Sequence, residues 1–472
     1  MKMTPASQHL EKVPLILHLE GALLRTDLSY ESFWAALGHD VPVTLRHIAA
    51  GASVQSLAGI AAPAAEHLPL HDDIADRARA AIAEGRQVHL ISGADQALIE
   101  AVAARLSLPG PHFGIDPDRD LNGATLADFL RSRFGTGGFD YIGGPDEDPE
   151  IWDLARQATA VTGSNRHPQK LAQVKKPVDV IEDGWTWGAL LREMRPHQWI
   201  KNILLFVPLL AAHRFEAAPM LQAALAFAGF SLGASAIYIL NDLLDLDGDR
   251  RHPEKRYRPI ASGALPIPAA TRASAALVLL ALALALMVSP AVAALTALYM
   301  TGSLSYSLWL KKWRWLDVIT LACLFLLRLL TGAVSVEVTV PLPLLAFAFV
   351  AFFVLACVKR ITALSRLHVD GQLPRRGYRP SDLRWLEWAS FGAIPVSAGL
   401  FLLYVFGSEA AQLYDHQLLL SLAAVPLVVW LFRVVRLSLQ GLEDFDPVRF
   451  VLHDRVGMAI ILAAIVLVVL AA

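Results

Sequence analysis

The chain has 472 residues, a net charge of −2 and a hydrophobic fraction of 55%. This length excludes a single small domain, the near-neutral charge gives no indication of a nucleic-acid partner, and two cysteines are too few for a disulfide framework. The chain is mixed and polar up to about residue 180 and mostly apolar from Trp199 to Ala472. We therefore predict a soluble domain at 1–165, a linker and interfacial helix at 166–194, and a membrane domain at 195–472.

Four apolar segments of the soluble part predict strands, near residues 14–19, 87–92, 139–143 and 158–162. Because helical segments separate them, they favour a parallel α/β sheet. The stretch LILHLEGALLRTD, from Leu15, resembles the first motif of the haloacid dehalogenase (HAD) superfamily, and VHLISG, LNGATLADFL and YIGGPDEDPEIWDLA resemble its other three motifs. The resemblance implies an N-terminal α/β, HAD-like (Rossmannoid) fold.

The catalytic residues of that superfamily are replaced in this chain. The positions of its nucleophilic Asp, its Thr, its Lys and its first metal-binding Asp hold His18, Ala22, Leu126 and Gly144. A phosphoaspartate intermediate requires a carboxylate nucleophile, so we predict a catalytically inactive domain with a structural His18. Its expected role is to dock on the cytosolic face, bind a ligand or recruit a protein partner. Asp146 and Asp148 are interpreted as solvated loop carboxylates.

The linker leads into an aromatic segment, WTWGALLREMRPHQW, from Trp185. As a helix it places Trp187, Leu190, Leu191 and Met194 on one face, which is typical of an interfacial helix.

Nine apolar segments predict transmembrane helices. They begin near residues 199, 220, 268, 289, 315, 340, 386, 417 and 456, and Pro208 interrupts the first. The N-terminus, MKMTPASQHLEK, lacks a signal-peptide core, so a cytosolic start is expected. With that start the inward loops hold 19 basic residues and the outward loops hold one, Arg214, as the positive-inside rule requires. We predict a multi-pass protein of a bacterial-type inner membrane, with the N-terminal domain and the active site on the cytosolic side.

An acidic and then basic stretch, NDLLDLDGDRRHPEKRYRPIASG, follows the second predicted span. On a helix, Asp242, Asp245 and Asp249 are spaced i, i+3, i+7 and share one face. Their mutual repulsion is relieved by a divalent cation such as Mg²⁺, which accepts a few carboxylate oxygens together with substrate phosphate. Lys255 and Arg258 follow and can hold phosphate oxygens. The combination favours a site for a pyrophosphate leaving group over a solvated charged loop.

A second charged patch lies around the fifth span, where Asp317 and Arg328 are eleven residues apart and share a helix face. Arg328 lies well inside an apolar segment, and such an arginine normally faces a polar cavity. An internal ion pair with a carboxylate is the alternative. Lys359 and Arg360 end the sixth span, where substrate contact and simple positive-inside anchoring both remain open.

These residues carry a second resemblance, which covers about residues 190–472. Asn241-Asp242-x-x-Asp245-x-x-x-Asp249 and the basic stretch to Gly263 resemble the first aspartate-rich motif of the UbiA superfamily of intramembrane prenyltransferases. Other motifs resemble its decaprenyl-phosphate phosphoribosyltransferase branch: Arg195-Pro196-x-x-Trp199-x-Lys201-Asn202, Tyr306-Ser307-x-x-Leu310-Lys311, Leu316-Asp317-Val318 with Arg328, and Asp446-Pro447 with Asp454-Arg455. Ala363 departs from this branch, which often has an acidic residue at that position.

The resemblance implies a Mg²⁺-dependent transferase that holds a polyprenyl chain in a membrane cavity, with phosphates at its cytosolic mouth. The implied catalytic residues are Asp242, Asp245 and Asp249, as Mg²⁺ ligands, and Asp317. The residues implied for phosphate or donor binding are Asn241, Lys201, Lys255, Arg258, Lys311 and Arg328. The favoured reaction transfers phosphoribosyl from phosphoribosyl pyrophosphate (PRPP) to polyprenyl phosphate and releases pyrophosphate. Three alternatives remain: prenyl transfer from a polyprenyl diphosphate to an aromatic acceptor, transport of a lipid or metabolite, and a bifunctional phosphatase–transferase.

Overall fold

The computed structural model describes residues 12–51, 57, 59–115, 121, 124–163, 170–366, 377–441 and 454–471. The chain divides into two compact units: Met1–Met194 with Ile239–Ala273, and Arg195–Tyr238 with Ser274–Ala472. The first, here called the N-terminal unit, therefore includes the acidic and basic stretch. The sequence prediction assigns that stretch to a membrane domain of residues 195–472, and this boundary stays a prediction.

The described part of the N-terminal unit contains a parallel sheet of six strands. They are β1 Leu15–His18, β2 Val88–Asp95, β3 Phe113–Ile115, β4 Asp140–Gly143, β5 Ala158–Thr162 and β6 Asp179–Glu182. The spatial order is β3-β2-β1-β4-β5-β6, the order of doubly wound α/β sheets. In the centre, Leu15 lies opposite both Val88 and Asp140. The predicted parallel sheet is thereby confirmed, and the HAD-like assignment stays a prediction.

Helices connect and cover the strands. They are α1 Leu28–His39, α2 Val41–Ala49, α3 Asp72–Ala83, α4 Gln96–Leu106, α5 Ala124–Phe134, α6 Pro149–Leu154 and α7 Trp187–Met194. Successive strand residues point to opposite faces of a sheet, so β1 contributes Leu17 to one hydrophobic core and Ile16 to another. Asp27 starts α1 by accepting hydrogen bonds from the backbone amides of Ser29 and Tyr30.

Two strands and the burial pattern of one helix add to the sequence prediction. Strands β3 and β6 were not predicted, and β6 lies within residues 166–194, the segment interpreted as a linker and interfacial helix. The predicted interfacial helix is present as α7, in which Leu190 and Met194 are buried and Trp187 and Leu191 are exposed; its interfacial role stays a prediction.

In the described residues, seven helical segments are long and apolar enough to cross a membrane. They are α9 Ala217–Leu244, α11 Ile267–Val288, α12 Pro290–Leu308, α13 Arg314–Ser335, α14 Leu342–Ser365, α15 Asp382–Val405, and the pair α17 Gln417–Leu422 and α18 Ala424–Leu439. The remaining helices after α7 are α8 Val207–Ala211, α10 Leu246–Arg251, α16 Ala410–Leu413 and α19 Arg455–Ala471. The chain is a multi-pass membrane protein.

The first and last predicted spans are not among these seven. The first is a 3-10 helix, Pro196–Phe206, followed by the five-residue α8. The last is α19, an apolar helix whose 17 residues lie at the short end of the range for a transmembrane helix. The count of nine spans stays a prediction. Gly332 of α13 lets this helix approach the 3-10 helix closely, because a Cβ there would overlap the backbone of Leu205.

Candidate active site

The acidic stretch begins at the end of α9 and continues into α10. The two helices meet at Asp245, whose backbone leaves helical geometry at φ −103° and ψ 16°. Helical hydrogen bonds nevertheless flank the break: the Asp245 amide donates to Asn241 at 3.0 Å, and the Asp249 amide donates to Asp245 at 2.9 Å. The predicted helix is therefore present but kinked.

Arg258 lies between the carboxylates of Asp242 and Asp249. Its Nη1 is 3.0 Å from Oδ1 of Asp242 and 2.5 Å from Oδ2 of Asp249. Both aspartates are buried, while Arg258 is partly exposed. Lys255 approaches the second carboxylate, with Nζ 3.4 Å from Oδ1 of Asp249. The fold therefore brings together two acidic and two basic residues of the predicted site.

The pKa of Asp249 reflects this crowding. Burial raises its pKa, the neighbouring Asp242 carboxylate adds to the rise, and Arg258 and Lys255 act in the opposite direction. Two buried carboxylates repel each other when both are ionised. Asp242 and Asp249 can therefore both be ionised only when positive charge lies between them.

The oxygen atoms of this segment fit Mg²⁺. The amide oxygen Oδ1 of Asn241, one residue before Asp242, is buried and has no hydrogen-bond partner in the described part of the chain. Hard cations prefer carboxylate and amide oxygens, and Mg²⁺ is often held by only one or two carboxylates plus substrate phosphate. Asp242 and Asp249 suit this mode. Within the described residues no three His, Cys, Asp or Glu side chains form a metal cluster, and Asp245 lies half-buried at the kink.

Arg328 occupies a buried polar position in α13. It donates from Nε to Oδ1 of Asn202 at 2.9 Å, from Nη2 to the hydroxyl of Tyr299 at 2.9 Å, and from Nη1 to the carbonyl of Leu324 at 2.7 Å. Its guanidinium carbon also lies 4.8 Å from the Tyr299 ring centroid. All three acceptors are neutral groups, so none of these hydrogen bonds is an ion pair. Asn202 and Tyr299 were not predicted as site residues, although Asn202 stands beside Lys201 in a quoted motif.

Asp317 pairs with Arg360 and not with Arg328. Both oxygens of Asp317 accept from Arg360, one of them from Nη2 at 2.9 Å. The Tyr306 hydroxyl donates to Asp317 at 2.9 Å and accepts from Arg360 at 2.6 Å. Asp317 and Arg360 are almost completely buried. The sequence left substrate contact and loop anchoring open for Arg360, whereas the structure shows a buried ion pair between α13 and α14.

The remaining predicted site residues lie on other elements of the fold. Lys201 donates to Oε1 of Gln198 at 2.6 Å, and Lys311 lies in a 3-10 turn after α12. Of the last motif, Asp446 and Pro447 lie outside the described residues, and Asp454 accepts two hydrogen bonds from Arg433. The predicted residues within the N-terminal unit are Asn241, Asp242, Asp245, Asp249, Lys255 and Arg258; those within the other unit are Lys201, Lys311, Asp317 and Arg328.

A separate polar cluster lies at the carboxyl end of β1. His18 Nδ1 is 2.9 Å from Oε1 of Glu147. Glu20 accepts from the amide of Leu28 at 3.0 Å, and the Ser92 hydroxyl is 3.4 Å from its other oxygen. The carboxylate that faces His18 is therefore Glu147, which the sequence interpretation passed over between Asp146 and Asp148.

Comparison with known proteins finds a family match in the membrane part of the chain. The model of the UbiA prenyltransferase family matches residues 203–452, more than half of the chain. The decaprenyl-phosphate phosphoribosyltransferase of Mycobacterium tuberculosis is 30% identical over 287 residues, which cover 58% of this chain and 91% of that protein.

Two rhizobial proteins are also similar. Nodulation protein NoeC of Azorhizobium caulinodans is 37% identical over 277 residues, covering 57% of this chain and 88% of that protein. The protein called uncharacterized protein y4nM of Sinorhizobium fredii is 29% identical over 459 residues, covering 94% of this chain and 88% of that protein. The last similarity therefore extends over the N-terminal sheet as well as the apolar helices.

Proposed function

We propose that this chain, which belongs to the UbiA prenyltransferase family, is a membrane-bound polyprenyl-phosphate phosphoribosyltransferase. In the proposed reaction a phosphate oxygen of the lipid attacks C1 of the ribose of PRPP. The bond from C1 to the pyrophosphate oxygen breaks, and pyrophosphate leaves. The relative named decaprenyl-phosphate phosphoribosyltransferase and the branch motifs around Lys201 and Lys311 support this choice of substrates.

The observation that carries the proposal is the convergence of Asp242, Asp249 and Arg258 at the end of an apolar helix. A diphosphate and Mg²⁺ together require carboxylates for the metal and cations for the phosphate oxygens. We assign metal binding to Asp242 and Asp249, with Asn241 contributing or orienting an oxygen. Mg²⁺, when bound, would neutralise negative charge on the departing pyrophosphate. Asp245, the third metal ligand predicted from the sequence, lies at the kink between Asp242 and Asp249.

The basic residues then divide between the two substrates. Arg258 and Lys255, which already contact the acidic pair, are assigned to the diphosphate of the donor. Lys201, Lys311 and Arg328 are assigned to the lipid phosphate or the remaining donor phosphate. The support for Arg328 is that its hydrogen bonds go to neutral oxygens. None of these bonds pairs the guanidinium with a carboxylate, and a guanidinium is well suited to bind phosphate oxygens.

Asp317 has a different role in this proposal from the metal-assisting one implied by the resemblance. Its two oxygens are engaged by Arg360 and Tyr306. We therefore assign Asp317 the positioning of these side chains. The N-terminal unit and the acidic segment are proposed to lie on the cytosolic side, as the distribution of basic loop residues indicates.

The test is transfer of label from PRPP to polyprenyl phosphate by the purified full-length protein, with Mg²⁺ and with the metal removed by a chelator. We expect metal-dependent labelling of the lipid. Asp242→Asn and Asp249→Asn should each lower the rate at least about 100-fold, because each removes an anionic ligand for the Mg²⁺ that would stabilise the departing pyrophosphate. Asp247→Asn is the matched control, since Asp247 is half-exposed and pairs with Arg251 at 2.8 Å.

Two outcomes would contradict the proposal. Labelling that survives in both Asp242→Asn and Asp249→Asn would exclude them as metal ligands. Absence of labelling in folded wild-type protein would exclude PRPP as donor. A parallel reaction with polyprenyl diphosphate and an aromatic acceptor then decides whether the prenyl group itself is transferred.

A further inference from the structure

Helix α1 of the N-terminal unit presents three residues to the acidic segment, and they form what is here called the α1 contact face: Glu31, Trp34 and Gly38. Their spacing of i, i+3, i+7 places them on one side of the helix. Their contacts are Leu244, Arg250 and Thr271, so this one helix contacts the chain before, within and after α10.

The strongest of these contacts is an ion pair between Glu31 and Arg250. Arg250 donates from Nη1 to Oε2 of Glu31 at 3.0 Å and from Nη2 to Oε1 at 2.5 Å. The exposed fractions of the two side chains are only 3% for Glu31 and 6% for Arg250. Thr26 donates a further hydrogen bond to Glu31, and Arg250 Nε donates to the carbonyl of Ala261 at 3.1 Å. A two-point buried pair of this kind fixes direction as well as distance.

The other two contacts act at the ends of the neighbouring helices. Trp34 Nε1 donates to the hydroxyl of Thr271 in α11 at 3.1 Å. Gly38 lies directly against the last residue of α9, because a Cβ at this position would overlap the carbonyl oxygen of Leu244. The α1 contact face therefore touches the end of α9, helix α10 and the start of α11.

Arg250 is adjacent to Asp249, so the ion pair holds the helix that carries a proposed metal ligand. Helix α10 has only six residues, and a helix this short is not stable by itself. Its position relative to Asp242, on the far side of the kink, must come from tertiary contacts. The buried contact from Glu31 supplies one of them.

We infer that helix α1 is a positioning element of the transferase: its Glu31 holds Arg250 so that Asp249 stays within reach of Asp242. This inference rests on the proposed function for its catalytic meaning. It assigns helix α1 an indirect role in cation and diphosphate binding, which acts through α10. Glu31 is a positioning residue that does not itself touch substrate.

The test compares full-length wild type with Glu31→Gln in two measurements. Hydrogen–deuterium exchange across Leu246–Arg251 should become about tenfold faster, because α10 loses its buried anchor. The Mg²⁺ concentration for half-maximal transfer should rise about tenfold, as for other residues that support metal ligands, while KM for polyprenyl phosphate changes less than about twofold. A general loss of folded enzyme would lower the maximal rate without moving the Mg²⁺ requirement.

Two further variants keep the test decisive. Trp34→Phe keeps an aromatic ring at this position, but it removes the indole N–H that donates to Thr271 and part of the buried indole. It should change both readouts about two- to fivefold even if Glu31→Gln fails to fold. Asp76→Asn alters an exposed carboxylate of α3 that pairs locally with Arg79 and should change neither.

Wild-type exchange and Mg²⁺ dependence in both Glu31→Gln and Trp34→Phe would overturn the inference. If the wild type transfers neither phosphoribosyl nor prenyl groups, the proposed function fails, and the exchange experiment alone still decides whether α1 positions α10.

Discussion

The buried pair of Asp317 and Arg360 allows a quantitative test of how α13 and α14 are joined. Asp317 is 0% exposed and Arg360 is 1% exposed, so neither charge is hydrated. Removing one partner of such a pair costs about 3–5 kcal/mol, whereas replacing both with apolar residues of similar volume is often neutral. We therefore expect Asp317→Leu and Arg360→Met each to lower the free energy of unfolding by about 3–5 kcal/mol.

Tyr306 changes the expectation for the double variant. Its hydroxyl donates to Asp317 and accepts from Arg360, and the double variant leaves this part-buried hydroxyl without both partners. An unsatisfied buried hydroxyl costs about 1–3 kcal/mol. The double variant should therefore lose about 1–3 kcal/mol, far less than the sum of the single losses. Adding Tyr306→Phe should bring the stability back to near the wild-type value.

These free energies are measured by unfolding the protein in mixed micelles as a denaturing detergent is titrated in. The double-mutant cycle gives the coupling directly. If the double variant loses as much as the two single variants together, the residues contribute independently and the buried pair is refuted.

Two further predictions concern the N-terminal unit. Burial acts to lower the pKa of His18, but the Glu147 carboxylate, together with the backbone carbonyl and the carboxylate of Glu20, outweighs burial and raises that pKa above its usual value. The protonated His18 then stabilises the fold fully below about pH 6.5, and this contribution is lost as pH rises through the folded-state pKa. His18→Gln should therefore cost most stability at about pH 6 and progressively less at higher pH, and a cost that is constant in thermal melts across this range would contradict the ion pair. Gly263 has φ +77° and a Cβ there would lie 2.6 Å from Cβ of Arg25, so Gly263→Ala should cost more than the approximately 1–3 kcal/mol of backbone strain alone. Gly135→Ala measures that strain by itself, since Gly135 has φ +74° with open space around it; equal losses of melting temperature would show that the contact with Arg25 is unimportant.

The fold could be predicted where a segment carries its own pattern. Apolar runs such as that of β1 are bounded by turn residues, and seven of the nine predicted spans form apolar helices that meet the length of a bilayer. Strand β3 has only three residues, and the side chains of β6, DVIE, are largely exposed. Neither strand presents the periodic hydrophobic signal on which a prediction depends. Their positions are determined instead by pairing with the neighbouring strands β2 and β5.

The site was predictable within each helix and less so between helices. Helical spacing correctly indicates that Asp242 and Asp249 approach each other, and it places Asp317 and Arg328 on one face of α13. It contains no information on the partner that a second helix supplies. Arg360, which is 43 residues from Asp317 in sequence, therefore escaped prediction as the partner of that carboxylate.

The pairing of Glu31 with Arg250 also has a consequence for synthesis of the chain. The two residues are 219 positions apart, so at about 5–20 residues per second the arginine is translated roughly 10–40 s after the glutamate. During this interval α1 has emerged from the ribosome while its partner is still missing, and Glu31 must remain hydrated. Because α9 precedes Arg250 in the chain, the N-terminal unit can complete its packing only after this apolar helix has been synthesised. Maturation of the N-terminal unit is therefore linked to synthesis of the membrane part.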